Sequence, residues 1–177
     1  QGADAIFTKI EMPLVRVLAS MERAGMYVDP ARLAAQSDEL VGQIQALEAR
    51  IRELAGGEEF NLSSPMQLSR ILFDKLGLPT AGLKKTQRGY YSTNAKVLED
   101  LAKDHEIVQL ILEFREKTKI KSTYLDTLGP LRRHDGRVHT TYNQTITATG
   151  RLSSSNPNLQ NIPTRSELGH AVKRAFS

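Results

Sequence analysis

The sequence predicts a mainly α fold: two long antiparallel helices with a small helical tip, followed by a short β segment and a loop. Three observations predict it. Apolar residues recur at steps of three and four along two long stretches, 33–54 and 107–128. Gly and Pro cut the chain between them into short pieces. Period-two alternation is confined to the stretch after Arg137. With 177 residues, 40% hydrophobic and 25% charged, the chain can build a real core and suits one domain, or one domain plus part of another. No apolar run is long enough for a membrane-spanning helix. The absence of cysteine excludes disulfides and thiolate metal sites and is compatible with a reducing cytoplasm. The chain does not begin with Met and shows no signal peptide. It reads as an excised piece, with Gln1-Gly2-Ala3 a scar or the end of a linker.

The elements follow in order. Ile6, Ile10, Leu14, Val17, Leu18 and Met21 fall at helical spacing. Pro13 lies inside that series, so the helix either kinks there or starts nearby with Pro13 in its first turn, and Gly25 stops it. Met26-Tyr27-Val28 is a short extended piece. Asp29 caps the first long helix, with Pro30 at its first position. Leu33, Leu40, Ile44, Leu47, Ile51 and Leu54 make a narrow stripe that wants one partner helix. Gly56-Gly57 ends it. After a turn at 60–63, Ser64 with Gln67 forms a capping box, Pro65 opens a short helix, and Gly77 and Pro79 close it.

An exposed loop at 80–91 carries Lys84, Lys85 and Arg88. Ser92 or Thr93 caps the next helix, from about residue 94 to 103. Basic side chains ahead of a helix N-terminus suit a phosphate, and an ordinary solvated Lys loop fits the residues equally well. The second long helix, 106–128, has an apolar face and a basic middle: Arg115, Lys117, Lys119 and Lys121. Glu113 pairs with Lys117 and Glu116 with Lys119, while Lys121 has no acid three or four positions before it. Gly129-Pro130 breaks the helix, and Asp135-Gly136 signals a hairpin turn. A strand follows, with Val138, Thr140, Tyr142, Gln144 and Ile146 on one side and His139, Thr141, Asn143 and Thr145 on the other. His139 has no partner at a telling spacing and reads as a strand surface residue.

The strand delivers the chain to a polar run at 147–163. Its large apolar residues, Leu152, Leu159 and Ile162, are never adjacent. By composition this is a polar, Pro-broken surface loop. Yet Arg151, Asn158, Gln160 and Asn161 also form a dense array for reading polar edges, because amides both donate and accept. Minor-groove edges present acceptors whatever the base sequence. Net charge is +4, and from Arg132 onward Arg132, Arg133, Arg137, Arg151, Arg165, Lys173 and Arg174 outnumber Asp135 and Glu167. A polyanion is a fitting partner for that end, although mild basicity can serve solubility alone.

The order of residues in that run, T-A-T-G-R-L-S-S-x-x-P-N-L-Q-N-I-P-x-R, followed by Glu167, Gly169 and Lys173-Arg174-Ala175-Phe176, resembles family-A DNA polymerases of the bacterial DNA polymerase I type. Ile10-Glu11-Met12-Pro13-Leu14, Glu22-Arg23-Ala24-Gly25, Phe60-Asn61-Leu62-Ser63-Ser64, Leu83-Lys84-Lys85-Thr86 and Lys119-Ile120-Lys121-Ser122-Thr123-Tyr124 carry it through the chain. The resemblance implies a thumb subdomain at 1–128 and the N-terminal part of a palm at 129–177.

It also implies that primer-template duplex DNA and the remaining palm and fingers are the partners, in the cytoplasm at the bacterial nucleoid, with no membrane. Asn61, Ser64, Lys84, Lys85, Ser92 and Thr93 would touch the sugar-phosphate backbone near the thumb tip. Arg115 and Lys119 would lie along the duplex. Arg151 would reach the minor groove near the primer terminus, with Asn158, Gln160 and Asn161 nearby. These side chains are basic or polar and suit a grip that is independent of base sequence. Two-metal nucleotidyl transfer needs carboxylates that hold both ions, and after Asp135 Glu167 stands alone. The parent enzyme is therefore expected to use Mg, and this piece to hold neither catalytic residues, metal nor cofactor. A stand-alone, non-catalytic helical DNA-binding module is the alternative reading. A coiled-coil structural protein would explain 33–54 but leave 151–165 without purpose.

Overall fold

The computed structural model describes residues 3–163 and 166–176. It is mainly helical, as expected, and its contacts divide it into two compact units: 1–37 with 120–177, and 38–119. These units do not follow the division at 128/129, which rests on family likeness. Their boundaries fall inside the two long helices.

In the first unit, α1 (Ala3–Ile6) runs through a π-helical turn (Phe7–Glu11) into α2 (Met12–Ala24). Pro13 sits in the first turn of α2, where its missing N–H costs least. The wider turn just before it gives the ring room beside the preceding carbonyls. Gly25 ends α2 at φ +63°, donating to the Met21 carbonyl. A Cβ here would fall 2.7 Å from the His139 ring, so the glycine serves close approach as well as backbone freedom. Strand β1 (Met26–Tyr27) pairs antiparallel with β2 (Arg137–Val138).

Asp29 Oδ1 accepts from the N–H groups of Ala31 and Arg32 and so caps α3 (Pro30–Leu54). After α6 (Glu106–Ile120), the chain continues helically through a second π turn (Lys121–Leu125) into α7 (Asp126–Leu131). Gly129-Pro130 thus ends the helix later than expected. Proline withholds only its own donor, and Arg132 still bonds the Gly129 carbonyl. The π turn also corrects the reading of Lys121. Residues five apart share a face there, and Lys121 Nζ meets Asp126 Oδ1 at 2.6 Å.

The expected single strand is two short pieces. Beyond β2 the chain restarts as β3 (Thr141–Asn143), paired antiparallel with β4 (Ser153–Ser155). The turn at Asp135-Gly136 joins α7 to β2, so it is not the tip of a two-stranded hairpin. His139 lies in the gap between the pieces, and its side chain is only 11% exposed. It is a packed residue, not a surface one: Nδ1 lies 2.7 Å from the Glu22 carbonyl oxygen. Glu22 in turn accepts from the Tyr142 N–H, so α2 holds both strand pieces. Last comes α8 (Glu167–Arg174), capped by Ser166 Oγ on the Gly169 N–H.

The second unit packs the 38–54 part of α3 antiparallel to the 106–119 part of α6. Arg50 pairs with Glu106, and Gln43 Oε1 accepts from Lys117 Nζ at 2.7 Å. Across these helices fold α4 (Pro65–Ser69), its π-helical continuation (Arg70–Lys75) and α5 (Ala95–Leu101). Ile51, Leu68, Ile71, Leu72, Leu98, Val108 and Ile111 are fully buried in one cluster with Phe60, Phe73 and Phe114. Each such side chain is worth about 1.5–3 kcal/mol of burial. The stripe on α3 therefore does find a partner helix, but its lower half is core to four elements.

Candidate nucleic-acid interface

The 38–119 unit carries one group of the expected contacts. The turn before α4 is closed by side chains. Asn61 Oδ1 accepts from the Ser63 N–H, and Gln67 Oε1 accepts from the Asn61 N–H. The expected capping box is therefore wider than predicted: Ser64 Oγ accepts from the Gln67 N–H at 3.4 Å, but Gln67 reaches back to Asn61. The oxygens of Asn61 and Ser64 are committed to the turn. Asn61 is exposed.

The basic loop is a small hairpin. Lys85 bridges Tyr91, the Thr86 N–H donates to the Tyr90 carbonyl, and the Gly89 N–H donates to Thr86. Its base is anchored to the core: Tyr91 packs edge-on to Phe73 at 5.3 Å, and its N–H donates to buried Ser69 Oγ. Lys85 Nζ stands over the Tyr91 ring at 5.1 Å, which holds the ammonium without neutralising it. Lys84 and Lys85 are both exposed, and among the described residues neither is in an ion pair.

The cap of α5 corrects the sequence reading. Asn94 is the N-cap, with Oδ1 accepting from the Val97 N–H at 3.0 Å, while Ser92 Oγ accepts from the Asn94 N–H. Thr93 is 5% exposed and held by Arg115: Nη1 donates to its carbonyl at 2.6 Å and Nη2 to Oγ1 at 3.4 Å. The Arg115 guanidinium is half-buried, and burial lowers its pKa from the usual arginine value. Its partners are neutral oxygens, and among the described residues no carboxylate is bonded to it. Lys119, one turn further on, is exposed.

The other unit carries the second group. In the strap at 147–163, part of the backbone is satisfied by the strap's own side chains and part by the pairing of β4 with β3. Thr147 Oγ1 donates to the Arg151 carbonyl at 2.5 Å. Buried Ser154 accepts on Oγ from the N–H groups of Leu159 and Gln160, and Asn158 Oδ1 accepts from those of Gln160 and Asn161. Thr140 Oγ1 donates toward the carbonyls of Ser155 and Pro157, tying the strap to the residue just before β3. The interior consumes only the Asn158 oxygen of the expected contacts. Arg151, Asn158, Gln160 and Asn161 are all exposed. Among the described residues the side chains of Arg151, Gln160 and Asn161 make no hydrogen bond, so their donors and acceptors face solvent.

Part of the positive charge of this unit is structural. Arg137 Nη1 lies against the carbonyls of Ala24 and Gly25 at the end of α2, and Arg132 Nε donates to the Gly136 carbonyl. Arg165 lies outside the described residues. Sequence reasoning missed Ser154 as the hub of the strap. It also missed Arg32 and Gln36, whose side chains donate to the carbonyls of Arg174 and Ala171 in α8. An Asn-x-x-Asn turn after a serine run was a usable signal for the first; the second is a long-range contact with no local signature.

The family model for DNA polymerase family A matches residues 30–177. This chain belongs to DNA polymerase family A. It is 52% identical over 98% of its length to DNA polymerase I of Geobacillus stearothermophilus, and 53% identical over 97% to the thermostable DNA polymerase I of Thermus aquaticus. It spans about a fifth of the length of these relatives, 19% and 20%. A solved structure, the POL domain of Pol1 from M. smegmatis in complex with DNA primer-template and dNTP, matches with a TM-score of 0.85 and 42% identity. The match covers 97% of this chain and 30% of that one. Members of the family in general use Mg. Among the described residues no group of three or more His, Asp or Glu side chains comes together that could hold a metal ion, so the residues present do not fit the ion. No helix of the described residues is long and apolar enough to cross a membrane.

Proposed function

We propose that this chain is the duplex-gripping part of a DNA-directed DNA polymerase of the DNA polymerase I type, with 1–128 as thumb and 129–177 as the first part of the palm. One observation carries the reading furthest. The strap that bears Arg151, Asn158, Gln160 and Asn161 is held by its own Ser154 and Asn158 and by pairing with β3, and among the described residues it leaves the side chains of Arg151, Gln160 and Asn161 without a hydrogen bond. Preset donors on a rigid strap suit the acceptors that every base pair shows in the minor groove. Arg151 acts there beside the primer end, with the three amides following the groove.

Lys84 and Lys85 engage phosphates from the anchored hairpin, and Asn61, Ser64 and Ser92 add polar contacts to the sugar-phosphate backbone. Arg115 and Lys119 face the duplex along α6, and Thr93 contributes through the segment that Arg115 holds. The partner is primer-template duplex, in replication or repair at the nucleoid. The remaining palm and fingers complete the enzyme. Nucleotidyl transfer belongs to those parts, because after Asp135 the only carboxylate side chain this chain supplies is Glu167.

Fluorescence anisotropy with a labelled primer-template duplex and a matched single strand tests the grip over a salt series. Lys84→Ala with Lys85→Ala is expected to weaken duplex binding and to make the salt slope shallower by roughly 0.9 for each phosphate no longer neutralised. An unchanged slope would remove the two lysines from the interface. No duplex binding at low salt would overturn an independent grip by this chain.

A further inference from the structure

The three serines of β4 are not equivalent. Side chains alternate across a strand, so Ser153 and Ser155 share one face and Ser154 takes the other. Ser155 Oγ accepts from Asn143 Nδ2 at 3.2 Å, and among the described residues the buried Ser153 Oγ has no partner. Ser154 is 4% exposed, and every capacity of its hydroxyl is in use. A hydroxyl offers one donor and two acceptor lone pairs. The Ser154 oxygen accepts from the N–H groups of Leu159 at 3.0 Å and Gln160 at 3.3 Å, and its O–H donates to Asn158 Oδ1 at 3.3 Å. Asn158 Oδ1 also accepts from the N–H groups of Gln160 at 3.1 Å and Asn161 at 3.3 Å. Three donors therefore converge on one end of the Asn158 amide. That end must be the oxygen, because an NH₂ turned to them would meet donors. Among the described residues the Asn158 NH₂ makes no hydrogen bond, and the residue is exposed.

We propose that Ser154 is a positioning residue that makes Asn158 a donor, and not an acceptor, toward DNA. An unrestrained amide offers both roles and turns to suit its partner. Ser154 removes that choice in two ways. It occupies the Asn158 oxygen directly, and it holds the Gln160 N–H that occupies the same oxygen. The donor left over suits purine N3 and pyrimidine O2, the acceptors common to every base pair in the minor groove. It offers nothing to the guanine N2 amino group, which is itself a donor. A buried hydroxyl thus fixes what an exposed amide can recognise. Without it the Leu159 and Gln160 N–H groups lose a partner and the amide is free to turn. The inference rests on the minor-groove reading of the strap and deepens it by assigning the polarity of one contact.

Equilibrium duplex binding by the full-length polymerase tests it, with 3-deazapurines placed one position at a time. A 3-deazapurine has C–H in place of the N3 acceptor and keeps its base pairing. Asn158→Asp identifies the position that Asn158 reads, since the carboxylate still accepts from Gln160 and Asn161 but carries no N–H. There the wild type is expected to bind the modified duplex about two- to tenfold more weakly than the natural one, the worth of one hydrogen bond. Ser154→Ala is expected to abolish that difference, and Ser154→Thr, which keeps the hydroxyl, to restore it. Ser154→Cys, whose thiol is a weak donor and acceptor, takes the place of the alanine variant if the latter does not fold, and the same loss is expected. A difference retained without the hydroxyl, even at a lowered melting temperature, overturns the proposal and leaves the minor-groove reading standing. A wild type that loses nothing at any position, or only where Asn158→Asp loses as much, overturns the minor-groove reading of Asn158 and the proposal with it.

Discussion

Three residues in a row, Ser92, Thr93 and Asn94, are each able to cap a helix. The structure assigns them different tasks. Asn94 caps α5, Ser92 supports the Asn94 N–H, and Thr93 turns inward to Arg115. The choice is made from 22 residues away, by a guanidinium that reaches both the carbonyl and the hydroxyl of Thr93. Arg115 therefore orders the segment beside the basic hairpin, whatever else it touches. Thr93→Val, which keeps shape and removes the hydroxyl, and Arg115→Ala are expected to act non-additively on duplex affinity and on stability. A double-mutant cycle should show coupling of about 0.5–3 kcal/mol. Arg115→Lys should rescue little, since an ammonium does not reproduce the two-pronged contact. Additive losses would mean that the hydroxyl contact carries no coupling, leaving only the bond to the Thr93 carbonyl.

At the scale of elements, long-period patterns were legible and local breaks were not. The α3 stripe, its Asp29 cap and the stop at Gly56-Gly57 stand where periodicity and turn chemistry put them. The π turns at 7–11, 70–75 and 121–125 have no residue signature that would announce them, and the last gave Lys121 its carboxylate. The strand after Arg137 alternates correctly at Val138 and Thr140, which are buried, but splits at His139 because Glu22 takes that side chain's carbonyl contact and the Tyr142 N–H. Ile146, on the expected inner side, is 71% exposed, since pairing has ended by Asn143.

The seat of α8 is also an element-scale matter. A Cβ on Gly169 would stand 2.1 Å from the Pro163 carbonyl oxygen, so the helix reaches the end of the strap only with glycine there. Gly169→Ala is expected to cost about 1–3 kcal/mol, the range for an overpacked contact. Thermal unfolding measures it, and unchanged stability would show that α8 moves freely against the strap.

For the whole molecule, the family likeness covers nearly the full chain, while the chain spans a fifth of its curated relatives. A pure sample is expected to incorporate no dNTP on a primed template with Mg²⁺, and incorporation above a heat-killed control would refute that assignment. By itself the sequence determined the family, the mainly helical class, the two long helices, the Asp29 cap on the first of them and the polar run at 147–163. These are written in local order: periodicity, cap residues and a motif of fixed spacing. Tertiary structure decided what those residues are free to do. It spent the oxygens of Asn61, Ser154 and Asn158 on backbone N–H groups, buried Thr93, packed His139 against α2, and left Arg151, Gln160 and Lys84 facing water. The physical reason is that a buried polar group must find a partner. Which group goes inside depends on neighbours that the chain brings together only when folded.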